Sequence, residues 1–268
     1  MKVAAIQMVS GADAAINLQN ALDLIALGAD QACELIALPE YFCLLGQRDT
    51  DKLSLAENEG HGALQDALQS AASRHGVWIV AGTLPLKSDS PDRVFNASLV
   101  FNPSGKRVAR YDKMHLFAFD NGTERYDESR VLQAGKQPVV FDLLSRDGHT
   151  WRVGLSVCYD LRFPELYRAL KADVILIPSA FTHTTGQDHW EPLIRARAIE
   201  NQACVIAPAQ GGWHDNGRQT WGHSMVVDSW GRILAQQETG AGLVIAELDW
   251  QAMAQRRTQL PALAHRLM

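Results

Sequence analysis

The chain has 268 residues, 47% hydrophobic and 21% charged, with a formal net charge of −5. That composition is ordinary for a soluble globular protein with a large core, and its mild acidity gives no reason to expect nucleic acid or an anionic membrane as partner. No apolar run approaches the ~20 residues of a membrane span, and MKVAAIQMVSGADAA reads as a short strand rather than a leader because Gln7 interrupts it, so a cytoplasmic location is expected.

KVAAIQM predicts the first strand. From Asn17 onward, Leu18, Ala21, Leu22, Ile25 and Ala29 recur at helical spacing on one face. ELIALPE, residues 34–40, is a buried strand that stops at Pro39. Leu64, Ala67, Leu68 and Ala71 mark a second amphipathic helix with Gly76 as its C-cap. VWIVAGTLPL is the next strand. Two hairpins follow: SLVFNPSGKRVARYDK turns at Asn-Pro-Ser-Gly, and VVFDLLSRDGHTWRVGLSV turns at Asp147-Gly148. FPELYRALKA is a helix, DVILIPS a buried strand, and HWEPLIRARAIENQA a longer helix. CVIAPAQ, HSMVVDSWGRILAQQ and GLVIAELD add three or four strands. No linker or low-complexity tract divides the sequence, so residues 1–268 are expected to form a single domain. Strand, helix, strand, helix, hairpins, and then the same order again predict an α/β domain with two strand layers covered by outer helices. A parallel doubly wound sheet is the alternative, and the hairpins count against it.

Four cysteines (Cys33, Cys43, Cys158, Cys204) are widely spaced, without CxxC or a Cys-His cluster, which disfavours a zinc site or a disulfide framework. Side chains at strand ends in α/β folds converge on a shared crevice. Glu40 ends ELIALPE, Lys113 ends KRVARYDK, and Cys158 follows WRVGLSV. Singly, these read as a turn carboxylate, a solvated edge charge and a core thiol. Jointly, they are chemically complementary. A lysine favours thiolate, and a carboxylate can take the proton as the thiol attacks. Lys113 and the backbone N–H following Cys158 would then hold the oxyanion. The set suits acyl transfer from an amide or nitrile to the thiol, then hydrolysis.

Competing motifs are weak. GLSVC lacks the final glycine of a G-x-S-x-G elbow, no G-x-G-x-x-G or P-loop occurs, and His183 and His189 stand outside any HExxH pattern. A Cys-His protease using His115 or His223 stays open, as does a catalytically silent ligand-binding protein.

AAIQM, LPE with Glu40, YDKMHLF with Lys113 and GLSVCYDLRFPEL with Cys158 occur in the order of a known family. On these motifs the chain resembles the nitrilase (carbon–nitrogen hydrolase) superfamily from end to end. The resemblance implies a four-layer α-β-β-α sandwich and a catalytic triad of Glu40, Lys113 and Cys158. It also implies a homodimer or larger homo-oligomer with no cofactor and no metal. A further active-site glutamate that supports the lysine maps onto Glu128 in YDESRVLQAG. Cys158-Tyr159-Asp160 differs from the Cys-Trp-Glu of true nitrilases, whereas CYDLRFPEL, AQGG and WGHSMVVDSWG resemble the nitrilase-like amidases. That branch implies a small amide bearing a carboxylate, either deaminated glutathione or α-ketoglutaramate, and AQGG points to the first. FAFDNGTERYDES departs from the pattern of either. A nitrilase or an N-carbamoyl hydrolase is the alternative within the superfamily.

Such substrates ask for cations at the mouth of the site. Arg162, four residues after Cys158, is either a carboxylate clamp or an ion-pair partner of Glu165 or Asp160. Phe181 and Thr182 follow DVILIPSA where a strand end would face the pocket, and with Tyr159 they are candidate substrate contacts. Arg195 and Arg197 share a helix with Glu191 and Glu200 and read as solvated or interface ion pairs. Trp213, Trp221, Trp230 and Trp250 read as core or subunit interface.

Overall fold

A computed structural model of the chain describes residues 1–267. β1 (Lys2–Gln7) leads to α1 (Ala14–Asp30), whose N-cap Asp13 accepts from Ala15 N and Ile16 N. β2 (Leu35–Ala37), the short α2 (Asp51–Leu55) and α3 (Ala63–His75) follow. Gly76 closes α3 in the left-handed conformation at φ 63°. Next come β3 (Trp78–Val80), β4 (Leu84–Lys87), β5 (Val94–Phe101) and β6 (Arg107–Asp112). A small hairpin of β7 (Ala118–Asp120) and β8 (Arg125–Asp127) precedes β9 (Val139–Leu144) and β10 (Thr150–Leu155). The chain continues through α4 (Pro164–Leu170), β11 (Val174–Leu176), α5 (His183–Asn201) and β12 (Cys204–Ala207). A second small hairpin, β13 (Gly211–Trp213) with β14 (Gln219–Trp221), comes before β15 (Ser224–Val227), β16 (Ile233–Gln237), β17 (Gly242–Glu247) and α6 (Trp250–Gln259).

The strands form two large sheets. One runs β17-β1-β2-β3-β5-β4 with β6 on the other edge of β5, and the second runs β16-β15-β12-β11-β10-β9. Each has three parallel strands at its centre, β1–β2–β3 and β10–β11–β12, flanked by antiparallel neighbours. Parallel strands need cover on both faces, and the alternation along them provides it. Val3, Ala5, Leu35 and Ala37 belong to the core shared with the second sheet. Ala4, Ile6, Ile36 and Leu38 pack in the core containing Ala21 and Ile25 of α1 and Leu64 and Leu68 of α3. α4 packs on β10, and α5 on β12 and β15. The result is the α-β-β-α sandwich.

Two expected elements differ. VWIVAGTLPL is not one strand: β3 and β4 lie along the same edge of β5, interrupted at 81–83. Gly82 turns there at φ 50°, and a Cβ on it would come 2.0 Å from the Pro39 carbonyl oxygen. The helix read from His189 starts six residues earlier, at His183, so Pro192 lies inside it rather than in its first turn. Gly186 permits the extension, because its bare backbone packs directly on Trp221. The tryptophans divide as well. Trp151 and Trp190 are the buried ones, Trp250 packs edge-on against Trp151, and Trp213 and Trp230 are exposed. Among the described residues no helix is long and apolar enough to cross a membrane.

Candidate active site

Both sheets end on the same side of the sandwich. From the first sheet, the segments after β2 and β6 carry Glu40 and Lys113. From the second, the segments after β10 and β11 carry Cys158 and Ala180. Glu40, Cys158 and Ala180 line a pocket of about 780 Å³, open solvent at its mouth included, and Lys113 contacts its lining residues Glu40 and Glu128.

Lys113 is the hub. Its ammonium donates to Glu40 Oε1 at 2.9 Å and reaches both carboxylate oxygens of Glu128, at 2.9 and 2.8 Å. Lys113 and Glu40 are each 1% exposed, so neither charge is stable there without the other. Glu40 is held on all sides. Asn96 Nδ2 donates to its Oε1 at 2.8 Å, the Ala180 N–H to its Oε2 at 2.9 Å, and Gln210 Nε2 to its backbone oxygen at 3.1 Å. Glu128 accepts from the Tyr41 hydroxyl at 2.8 Å and from the Phe117 N–H at 2.7 Å.

Burial raises the Glu40 carboxyl above its ordinary range, although the Lys113 charge opposes the shift. The Cys158 thiol is also pushed up, first by burial and then by the Glu40 charge, with Lys113 pulling the other way. Burial works against the Lys113 ammonium, but Glu128, Glu40 and Cys158 outweigh it and hold it above its usual value. Burial thus favours the protonated forms of the Cys158 thiol and the Glu40 carboxyl, while the neighbouring acidic groups keep the Lys113 ammonium charged.

Cys158 sits at φ 46°, a left-handed conformation costly for a residue with a side chain. Its N–H donates to the Pro178 carbonyl at 2.9 Å. Asp160, fully buried, clamps the same turn. One oxygen accepts from the Val157 N–H at 2.8 Å and the Tyr111 hydroxyl at 2.7 Å; the other accepts from the His115 N–H at 3.0 Å and meets its ring at 2.7 Å. Arg197 braces the turn from behind. It is buried rather than solvated, and it donates twice to the Leu161 carbonyl, at 3.0 and 2.8 Å, as well as to Glu200. Arg195 does form the exposed pair with Glu191.

Tyr159, Arg162, Phe181 and Thr182 all line the pocket. Arg162 makes no ion pair with Glu165 or Asp160. Its guanidinium lies over the Tyr159 and Phe181 rings and contacts His189 at 3.2 Å, because Asp160 is already saturated by four other contacts. Neither His115 nor His223 lines the pocket; His115 is committed to Asp160 and His223 to the Trp221 carbonyl, which removes the basis for a Cys-His pair. Tyr41, Asn96, Lys52 and Arg218 went unnoticed in the sequence. For Asn96 a signal existed, since it and Ser98 are polar residues on the parity of Val94 and Val100 in a strand whose other residues are apolar. For Lys52 and Arg218 there was none.

The family description "Carbon-nitrogen hydrolase" matches residues 2–258. A protein of Synechocystis sp. named deaminated glutathione amidase is 42% identical over 270 residues, covering 98% of this chain and 97% of its own. Among solved structures, the NitFhit protein of C. elegans superposes with a TM-score of 0.89 at 36% identity, over 99% of this chain and 65% of that longer one. A mutant amidase from Nesterenkonia sp. AN1, solved with acrylamide added at its active-site cysteine, gives a TM-score of 0.79 at 26% identity, over 97% and 98% of the two chains. Sandwich, pocket and end-to-end similarity agree: the chain belongs to the carbon–nitrogen hydrolase family and is a hydrolase of carbon–nitrogen bonds in amides.

Proposed function

We propose that the protein is a cysteine amidase that hydrolyses the terminal amide of a small carboxylate-bearing substrate, deaminated glutathione foremost, with release of ammonia. The observation that carries this reading is the single Lys113 ammonium bridging Glu40 and Glu128 at the pocket floor, where Cys158 also lies. The name of the Synechocystis relative supports the substrate, and the cysteine adduct in the Nesterenkonia amidase supports the nucleophile.

Glu40 takes the thiol proton as Cys158 Sγ attacks the amide carbon. The oxyanion is held by Lys113 and by the Tyr159 N–H, which opens the turn after Cys158 and is not needed within it. Glu40 returns the proton to the leaving nitrogen, ammonia departs, and a thioester remains. Water then gives a proton to Glu40 while its oxygen attacks the thioester, and the acid leaves as the thiol is restored. Glu128 orients Lys113. Tyr159, Arg162, Phe181 and Thr182 form the wall along the acyl part. The same reading takes residues 1–268 as one catalytic domain that needs no cofactor and works in the cytoplasm as a homodimer or larger homo-oligomer. The exposed apolar Ile199 and Trp230 support the assembly.

Ammonia release from deaminated glutathione tests the reading. Wild type should turn it over, and Cys158→Ala should lose at least ~10⁴-fold in kcat while keeping its fold. Residual turnover in that variant would sink the mechanism, and a large wild-type preference for α-ketoglutaramate would move the substrate. The pH profile is a second check. Only ionised Glu40 accepts the thiol proton, and burial raises its pKa, so kcat/KM should fall on acidification at a pH above the ordinary glutamate range. An acid limb at an ordinary carboxylate value would assign the base elsewhere.

A further inference from the structure

We infer that Lys52 receives the carboxylate of the substrate and is the residue that makes the pocket select for it; this rests on the amidase reading above. Three cations line the pocket: Lys52, Arg162 and Arg218. Two are occupied. Arg218 pairs with Asp49 at 3.0 Å and lies over the Tyr126 ring. Arg162 is held by His189 and two aromatic faces. Lys52 differs from Arg218 in having no carboxylate within ion-pair distance among the described residues, and from Arg162 in making no side-chain hydrogen bond; its ammonium rests 4.7 Å from the centre of the Tyr41 ring. Its neighbour Asp51 is turned away, toward Arg48.

The placement is built in. α2 is only five residues long, and Leu53 anchors it by packing against Val94, Val131 and Leu132, which leaves Lys52 on the pocket side. Burial lowers the Lys52 pKa, with Asp49 and Glu128 as weaker opposing charges. A desolvated ammonium without a counter-ion gains most from an incoming carboxylate.

The charge balance of the floor calls for such a group. Glu40 and Glu128 share one lysine, so a carboxylate-bearing substrate approaches a floor with one negative charge in excess. Lys52 stands one aromatic ring away from that floor, because the hydroxyl of the Tyr41 beneath it donates to Glu128. The amide end of the substrate at Cys158 and its carboxylate end at Lys52 would span the pocket.

The test compares the monoamides of succinate, glutarate and adipate with neutral alkyl amides of matching length, in wild type, Lys52→Met and Lys52→Arg. Wild type should favour at least one carboxylate member, and Lys52→Met should reduce that preference about 10- to 100-fold in kcat/KM, with Lys52→Arg restoring part of it. An undiminished preference in Lys52→Met, or none in wild type, overturns the assignment. If wild type hydrolyses none of these amides, the amidase reading is decided by ammonia release from deaminated glutathione, and protection of Cys158 from iodoacetamide by glutarate decides the question for Lys52. Protection lost in Lys52→Met upholds the site; equal or absent protection overturns it.

Discussion

Lys113→Met should abolish turnover and lower stability together. The lysine is proposed to hold the oxyanion, a contribution of roughly 10²- to 10³-fold in kcat, and Glu40 loses its counter-charge when it goes. The structural penalty is of comparable weight. Removing the ammonium leaves Glu40, 1% exposed, and Glu128 facing each other without a cation. Breaking a buried pair from one side costs about 3–5 kcal/mol, which for a chain of this size is a fall of roughly 6–20 °C in Tm. Glu40→Gln is the informative contrast. Lys113 keeps Glu128, and the glutamine can still accept from Ala180 or Asn96, so that variant should be inactive with a far smaller shift. Thermal unfolding and ammonia release on the two variants separate the roles. A Lys113→Met protein with unchanged Tm would mean that the carboxylates do not depend on it.

Asp160→Ala should also lower stability and rate together, although Asp160 does not line the pocket. Its carboxylate satisfies the Val157 N–H, the Tyr111 hydroxyl and two groups of His115. Each buried donor left without a partner costs about 1–3 kcal/mol, so losing the partner of the two fully buried ones, the Val157 N–H and the Tyr111 hydroxyl, should cost about 2–6 kcal/mol. The effect on rate is indirect and diagnostic. Val157 precedes a cysteine held at φ 46°, and freeing its N–H lets that strained turn relax and carries Sγ off its line of attack. The expected signature is a loss of kcat of about 10²-fold with KM changed far less, alongside a lower urea midpoint. Wild-type kcat in a destabilised Asp160→Ala protein would show that the turn keeps its shape unaided.

These residues differ in how readable they were. Glu40, Lys113 and Cys158 stand at the ends of apolar runs, where local pattern alone places a side chain at a strand terminus, and the motif order of a known superfamily joined them. Glu128 came through that resemblance only, since the exposed-looking YDES gives no periodic signal. The hydrogen bonds that hold the cluster could not be read at all. Asn96 and Glu40 are 56 positions apart and Ala180 and Glu40 are 140 apart, and nothing local encodes either contact. Likewise α2 is too short to show a helical period, and β7–β8 is a three-residue ladder whose alternation is lost among turn residues. Arg197 misled in the opposite direction: i,i+3 spacing to Glu200 on a helix looks like surface chemistry, and only the packing of α5 against the turn after Cys158 buries it.

The division of the cluster between the two sheets has a consequence for how the protein matures. Glu40, Asn96 and Lys113 ride on one sheet, and Cys158 and the Ala180 amide on the other. Until the sheets dock, the Cys158 thiol lacks the Glu40 carboxyl and Lys113 ammonium proposed as its base and oxyanion partner. On the roles proposed above, the site is complete only once the two sheets have docked.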